Sequence, residues 1–204
     1  MIMLELENSL WNAGYEKIAC MDEVGRGCLF GSVLAAAVIL PKGLYIEGVR
    51  DSKKLSAKKR EVLYEAIKEQ AIAIGVGTVS AKIIDEINIK NATRLAMKKA
   101  IKSLKDSEGN IVVPEYLLID AESIDIEIPQ TAIIKGDDTS HGIAAASIVA
   151  KVIRDRMCLK WAEEYPNYGI DQHKGYGTKL HREALLNHGP SQLHRKTFIK
   201  KIMG

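Results

Sequence analysis

The chain has 204 residues, 47% hydrophobic and 27% charged, a composition that excludes disordered and fibrous classes and allows one domain with a substantial core. No stretch approaches the roughly 20 apolar residues of a membrane span, and the acidic start MIMLELENSLWNAG does not read as an export signal. The formal net charge of +3 is unevenly spread: residues 151–204 hold 11 Lys+Arg against 5 Asp+Glu and four of the five histidines, which leaves residues 1–150 at −3. An acidic body with a basic tail points to a polyanionic partner or to a solvated basic face. Cys20, Cys28 and Cys158 are an odd number without ligand spacing. They argue against a disulfide framework or zinc site and for a reducing, cytoplasmic compartment.

In chain order, residues 3–12 predict a short amphipathic helix and 16–22 a first strand. Residues 30–40 (FGSVLAAAVIL) predict a second strand, stopped by Pro41. A helix is expected over about 57–71 and a strand over 72–79, where two glycines fit close packing. Ser80 is a plausible N-cap for helical stretches reaching about 105. Buried strands are expected at 116–119 and 131–134, then a helix over about 140–163 with a small early face (Ala144, Ala145, Ala146, Ser147, Ala150). The remainder is irregular and short-helical. A tight glycine turn makes the first two strands antiparallel, and intervening helices make a parallel placement natural for the 116–119 strand. The result is a mixed sheet flanked by helices. We expect one domain over 1–204, with a core of about 16–160 and a basic C-terminal helical part of about 161–204.

Three strand ends deliver acids: Asp22-Glu23, Asp120, and Asp137-Asp138. Adjacent carboxylates at the end of an apolar strand repel one another unless a cation lies between them. With no cysteine or histidine partner, such a set favours a hard divalent cation, Mg²⁺ or Mn²⁺. Two such ions can clamp both oxygens of a phosphoryl displacement. Taken alone, Asp120 reads more readily as a turn or cap residue, and Asp138 reads as a solvated neighbour of Asp137. Glu122, Asp125 and Glu127 read as exposed loop acids. Gly25 and Gly27 serve a strand–strand turn or admit a ligand to bare backbone. Arg26 between them is a phosphate ligand or an exposed turn residue. Lys151 and Asp155 fit an i,i+4 ion pair as well as substrate contact. The four C-terminal histidines read as surface or groove residues. Arg195, Lys196, Lys200 and Lys201 read as a phosphate track or a solvated helix face.

Five ordered blocks resemble one family. They are DEVGRG at 22–27, DSKKL at 51–55, KGD at 135–137 followed by AAASIVAKVIRDR at 144–156, HKGYGT at 173–178, and HRKTF at 194–198. Together they make the chain similar to type 2 ribonuclease H, and most to its bacterial form, ribonuclease HII, over about residues 16–199. The resemblance implies a ribonuclease H-like α/β fold with a mixed five-stranded sheet, flanking helices and a C-terminal helical extension. It implies metal-dependent cutting of the RNA strand in RNA–DNA hybrids, and incision 5′ of ribonucleotides embedded in duplex DNA, leaving 3′-hydroxyl and 5′-phosphate ends. The family's four metal-binding carboxylates fall on Asp22, Glu23, Asp120 and Asp137. Gly25-Arg26-Gly27 matches the turn that senses the ribose 2′-hydroxyl. Tyr176 matches a tyrosine that packs on the following sugar, Lys53 a phosphate-binding lysine, and Asn91 a residue lining the DNA strand. Cys28 and Ser32 stand where many members have proline, and Phe30 where they have alanine. The related ribonuclease HIII carries an N-terminal substrate-binding domain, for which the position of Asp22 leaves no room. The partner is thus nucleic acid rather than membrane, and a monomer is expected. Other readings are a resolvase or exonuclease of the same fold, or a non-catalytic nucleic-acid-binding module.

Overall fold

The fold is that of a computed structural model, which describes residues 2–204. Its centre is a five-stranded sheet: β1 (Ile18–Val24), β2 (Val33–Ile39), β3 (Ala73–Val79), β4 (Tyr116–Asp120) and β5 (Gln130–Ile133), in spatial order β3-β2-β1-β4-β5. β1 pairs antiparallel with β2, and β2 with β3. β4 runs parallel to both β1 and β5. The expected antiparallel start and parallel β4 are both present. β5 departs from expectation: it is a partly exposed edge strand rather than a buried one, and Ile134 beyond it is 82% exposed. The second strand begins at Val33, because residues 28–32 turn aside into the C-terminal region.

Both faces of β2 are fully buried, which explains its unbroken apolar run, VLAAAVI. Val33, Ala35, Ala37 and Ile39 share a core with Ala92, Ala96, Met97 and Ala100 of α3 (Ala81–Lys102). Leu34, Ala36 and Val38 pack with Leu63 and Ile67 of α2 (Ala57–Gln70) and with Ala144–Ala146 of α5 (His141–Glu164). Small residues set the closeness of these layers. A Cβ on Gly77 would lie 2.0 Å from the Ala96 carbonyl, and one on Gly142 2.2 Å from Cys20 Sγ. The helices start at hydroxyl caps: Ser56 accepts from Lys59 N–H, Ser80 from Ile83 N–H and Ser140 from Ile143 N–H. α3 is interrupted at Asn88 (φ 64°), whose side chain accepts from Asn91 N–H and restarts the helix.

Three further segments complete the fold. The short helix α4 (Gly136–Thr139) stands between β5 and α5, and its N-cap, Lys135, is left-handed (φ 56°). The N-terminal α1 (Glu5–Asn12) packs beside it. Its buried Glu7 accepts from Ser140 Oγ (2.6 Å) and Gly142 N–H (2.9 Å), so it ties down the α4–α5 junction. The C-terminal region holds α6 (Ile170–His173), α7 (Lys179–His188) and α8 (Lys196–Met203). No helix among the described residues is long and apolar enough to cross a membrane.

Candidate active site

Strand register brings the acids together. Met21 of β1 lies opposite Ile119 of β4, so the next residue on each strand, Asp22 and Asp120, leaves the sheet side by side. Side chains alternate across the sheet. Cys20 and Leu118 face α1 and α5, and Asp22 and Asp120 therefore emerge toward the end of the sheet covered by α4. There, Gly136 N–H donates to Asp120 Oδ1 (2.7 Å), which places the following residue, Asp137, against the same corner. Gly136 has no space for a side chain, because a Cβ would lie 2.5 Å from Ile143 and 3.3 Å from Asp120 Oδ1. Glu23 extends from β1 beside them.

This corner is electrostatically loaded. Burial, then the charges of Glu23 and Asp120, push the Asp22 carboxyl well above its usual range. Burial also raises Glu23, opposed by Arg26 and reinforced by Asp120, and it raises Asp120, opposed by the Gly136 N–H and reinforced by Asp137. The groups answering this charge are few: Lys53 Nζ to Asp137 Oδ2 (3.3 Å) and Arg26 to Glu23 Oε1 (3.4 Å). Lys53 keeps its proton more firmly: burial works against the charge, but the carboxylates around it, Asp137 first and then Asp51 and Asp22, together outweigh it. Glu23 Oε2 is buried without a partner. Among the described residues no group of three or more acid, imidazole or thiol side chains is arranged to hold a metal ion as it stands. The acids instead face Lys53, Arg26 and the Gly136 N–H. The chemistry of the donors nonetheless fits a hard cation: carboxylate oxygens only, buried and mutually repelling, with one oxygen unpartnered.

The turn after β1 is built from the C-terminal region. Gly25 is left-handed (φ 87°) and a Cβ there would strike Arg154 Nε at 2.2 Å, so packing alone requires glycine. Gly27 is different. It is exposed, its φ is ordinary, and nothing lies within 4 Å of a would-be Cβ. Packing gives no reason for glycine at 27. Cys28 N–H closes the turn on the Gly25 carbonyl (3.4 Å), a bond that proline could not make. Cys28 also pairs with Tyr176, and Leu29 N–H donates to the Gly175 carbonyl (2.8 Å). Tyr176, 41% exposed, is thereby fixed beside the Gly-Arg-Gly turn. Phe30 fills a buried pocket edge-on to His194, Trp161 and Tyr165, which accounts for its size.

Asn91 is not part of this corner. It lies exposed on α3, in a groove of about 310 Å³ with Ile87, Arg94, Leu95, Lys98 and Asp125. Glu122 is not the exposed loop acid expected: it is 8% exposed and accepts from Arg94 (2.9 and 3.1 Å). Asp138 is exposed and paired with Lys54, and Lys151 pairs with Asp155 (2.7 Å).

The largest correction concerns the basic tail. Arg195 is neither a phosphate track nor a solvated face, since it and Arg154 are fully buried. Nor do the histidines lie at the surface, apart from His188. His181 (0% exposed), His194 (2%) and His173 (9%) are packed together, with His173 stacked on His181 at 4.3 Å. Their tautomers follow from their partners. Ser191 N–H donates to His194 Nδ1 (2.9 Å), His194 Nε2–H donates to His181 Nε2 (3.1 Å), and His181 Nδ1–H donates to the Tyr176 carbonyl (2.9 Å). Burial pushes both His181 and His194 down to about 4. The clustering of histidine with glycine and tyrosine at 173–194 was the available sequence signal. Charge alone could not show that these side chains point inward.

The comparisons with known proteins agree with this geometry. The ribonuclease HII family model matches residues 19–201. The ribonuclease HII of Alkaliphilus oremlandii is 72% identical over 200 residues, covering 98% of both chains. That of Bacillus cereus is 56% identical over 196 residues, covering 96% of this chain and 74% of its own. Among solved structures, the ribonuclease H2 of Pyrococcus horikoshii superimposes with a TM-score of 0.72 at 27% identity, covering 92% of this chain and 97% of its own. An acid-bearing strand end, a glycine turn beside it and a match across nine-tenths of the sequence lead to one assignment: the chain belongs to the ribonuclease HII family.

Proposed function

We propose that this protein is an endoribonuclease that cuts the RNA strand of RNA–DNA hybrids and incises duplex DNA on the 5′ side of an embedded ribonucleotide, leaving 3′-hydroxyl and 5′-phosphate ends. One observation carries the reading. Two acids of the corner, Asp22 and Glu23, and the exposed Gly27 belong to one continuous segment, so the groups that would recognise a ribose adjoin those that would promote hydrolysis. The 2′-hydroxyl is the feature that separates RNA from DNA at a single position. A side-chain-free turn can bring backbone donors against it.

Asp22, Glu23, Asp120 and Asp137 would hold divalent cations, Mg²⁺ or Mn²⁺. Bound there, these supply Lewis-acid activation of the attacking water and of the leaving oxygen. The protein's own contributions are geometric and electrostatic. β1 and β4 fix Asp22 and Asp120 on adjacent strands, and Gly136 N–H fixes the Asp120 carboxylate. Lys53, 77% exposed at its side chain, is positioned to meet a phosphate at the mouth of the corner. Arg26 offers a fork for the same backbone. Tyr176, 41% exposed beside the turn, would pack on the next sugar. Asn91, exposed on α3, would line the DNA strand. The three cysteines are free and buried, which supports a reducing compartment.

The test uses a labelled DNA duplex with one embedded ribonucleotide. With Mn²⁺ or Mg²⁺ the protein is expected to make a single cut 5′ of the ribonucleotide and to leave the all-deoxy duplex whole. An intact ribonucleotide duplex, or equal cutting of both, rejects the reading.

A further inference from the structure

The loop 25–32 is wrapped around two buried cations without counter-ions. Arg195 is the N-cap residue of α8 and is fully buried. Each of its three guanidinium nitrogens donates to a loop carbonyl: Nη2 to Gly25 (2.7 Å), Nη1 to Arg26 (2.7 Å) and Nε to Gly31 (3.0 Å). Its own N–H donates to the Leu29 carbonyl (2.8 Å). Arg154, on α5, does the same for the adjoining carbonyls of Phe30 (3.2 Å), Ser32 (3.2 Å) and Lys174 (2.8 Å). Among the described residues neither arginine forms an ion pair. A buried guanidinium without a counter-ion is costly, and here backbone carbonyls, most of them in the loop, are what offset the cost. The two arginines and the loop's shape therefore depend on each other.

The consequence lies on the opposite side of the loop. All peptide bonds of the described residues are trans, so each peptide's N–H points opposite to its C=O. Drawing the Gly25 and Arg26 carbonyls inward onto Arg195 turns the N–H groups of Arg26 and Gly27 outward. Neither N–H has a hydrogen-bond acceptor within the described residues. The cation behind these peptides strengthens the positive end of each dipole. The open space around Gly27 leaves that end accessible.

We propose that Arg195, seconded by Arg154, is the positioning residue for ribose recognition: it sets the Gly25-Arg26-Gly27 turn so that two peptide N–H groups meet the oxygens of the ribonucleotide at the scissile phosphate. This inference rests on the proposed ribonuclease activity. Arg195 does not touch the substrate. It acts through the turn, in the way that a fixed dipole set in advance lowers the cost of recognition.

Arg195→Lys is the discriminating variant, because it keeps the charge and loses the three-pronged geometry. Single-turnover and steady-state cleavage of the ribonucleotide duplex should show kcat reduced about 100-fold, the scale of an ångström-level misplacement. KM and salt-dependent binding of an all-deoxy duplex should stay within about threefold of wild type, as phosphate contacts set them. A folded Arg195→Lys protein with wild-type kcat overturns the proposal, and so does one whose loss lies wholly in KM. A second measurement needs no change at Arg195. In the Asp22→Asn protein, solvent exchange of the Arg26 and Gly27 amides, read by NMR, should be fast when free. A ribonucleotide duplex should slow it about tenfold and an all-deoxy duplex should not. Equal exchange with both duplexes overturns the proposal even if Arg195→Lys fails to fold. A wild-type protein that leaves the ribonucleotide duplex intact defeats the underlying activity, whereas an active wild type with an equally active Arg195→Lys defeats only the assignment of Arg195.

Discussion

Two clusters of buried charge flank the Gly-Arg-Gly turn, and they are stabilised in opposite ways. On one side Asp22, Glu23 and Asp120 are held against one another, their carboxyls pushed upward by burial and by mutual repulsion. On the other side Arg154 and Arg195 carry two charges at greater depth, yet every guanidinium nitrogen has a carbonyl to meet. The acid corner is poorly satisfied among the described residues, with Glu23 Oε2 left without a partner. The arginine corner is complete within the chain. An unsatisfied cluster suits binding and chemistry, and a satisfied one suits holding a loop in place.

That contrast can be broken most forcefully at Asp22. Asp22→Asn should lower cleavage by about 10³-fold or more, as loss of a preorganised charge does elsewhere. The same change should raise the melting temperature of cation-free protein. Each pH unit of upward shift stands for about 1.4 kcal/mol of disfavoured charge that Asn does not carry. An unchanged or lower melting temperature would refute the account of the acid corner as strained. The arginine corner should respond with the opposite sign. Arg154→Met leaves the Phe30, Ser32 and Lys174 carbonyls unpaired and should cost about 3 kcal/mol in denaturant unfolding. A neutral result would show that the loop carbonyls find other donors.

Acid titration tests the comparison on a second axis. His181 and His194 are held at about 4 when folded against about 6.5 unfolded. The unfolded chain therefore takes up protons first as pH falls. Their contribution to stability is complete above about 6.5 and drains away down to about 4, at about 1.4 kcal/mol per histidine per pH unit. The acid corner has the reverse sign, since its raised carboxyls are relieved by protonation. In Asp22→Asn part of that relief is gone, so denaturant midpoints measured from pH 7 to 5 should fall more steeply than in wild type. Parallel pH profiles would rule out opposing contributions.

The finest distinction is between the two glycines of the turn. Gly25→Ala meets both a left-handed φ and the Arg154 side chain and should lose about 2 kcal/mol of stability. Gly27→Ala should leave stability within about 0.5 kcal/mol while lowering cleavage beside a ribonucleotide about tenfold. Equal effects on stability at both positions would contradict the division of labour between a glycine needed for packing and one needed for approach.

Much of the candidate site was legible in sequence because it lies at strand ends. Apolar runs ending in acid locate Asp22, Glu23 and Asp120 without knowledge of any partner strand, and the small face of α5 announced its close packing on the sheet. Glu7 escaped notice because its acceptor role depends on Ser140 and Gly142, more than 130 residues away. Glu122 was misread because Arg94, on another element, is what permits its burial. Arg195 and the three histidines were misread for the same reason, and the burial of Arg154 went unnoticed. Composition reports that a segment is basic, while only packing decides whether a guanidinium meets water or a carbonyl.

By itself, then, the sequence determined the order of strands and helices, the turn chemistry and the carriers of acid, since these depend on local periodicity and on short spacings. The tertiary structure decided which charges are paired, which glycine is required by packing, and what stands behind the turn. Those properties depend on contacts between distant segments, where the free energy of a charge is set by its surroundings rather than by its neighbours in the chain.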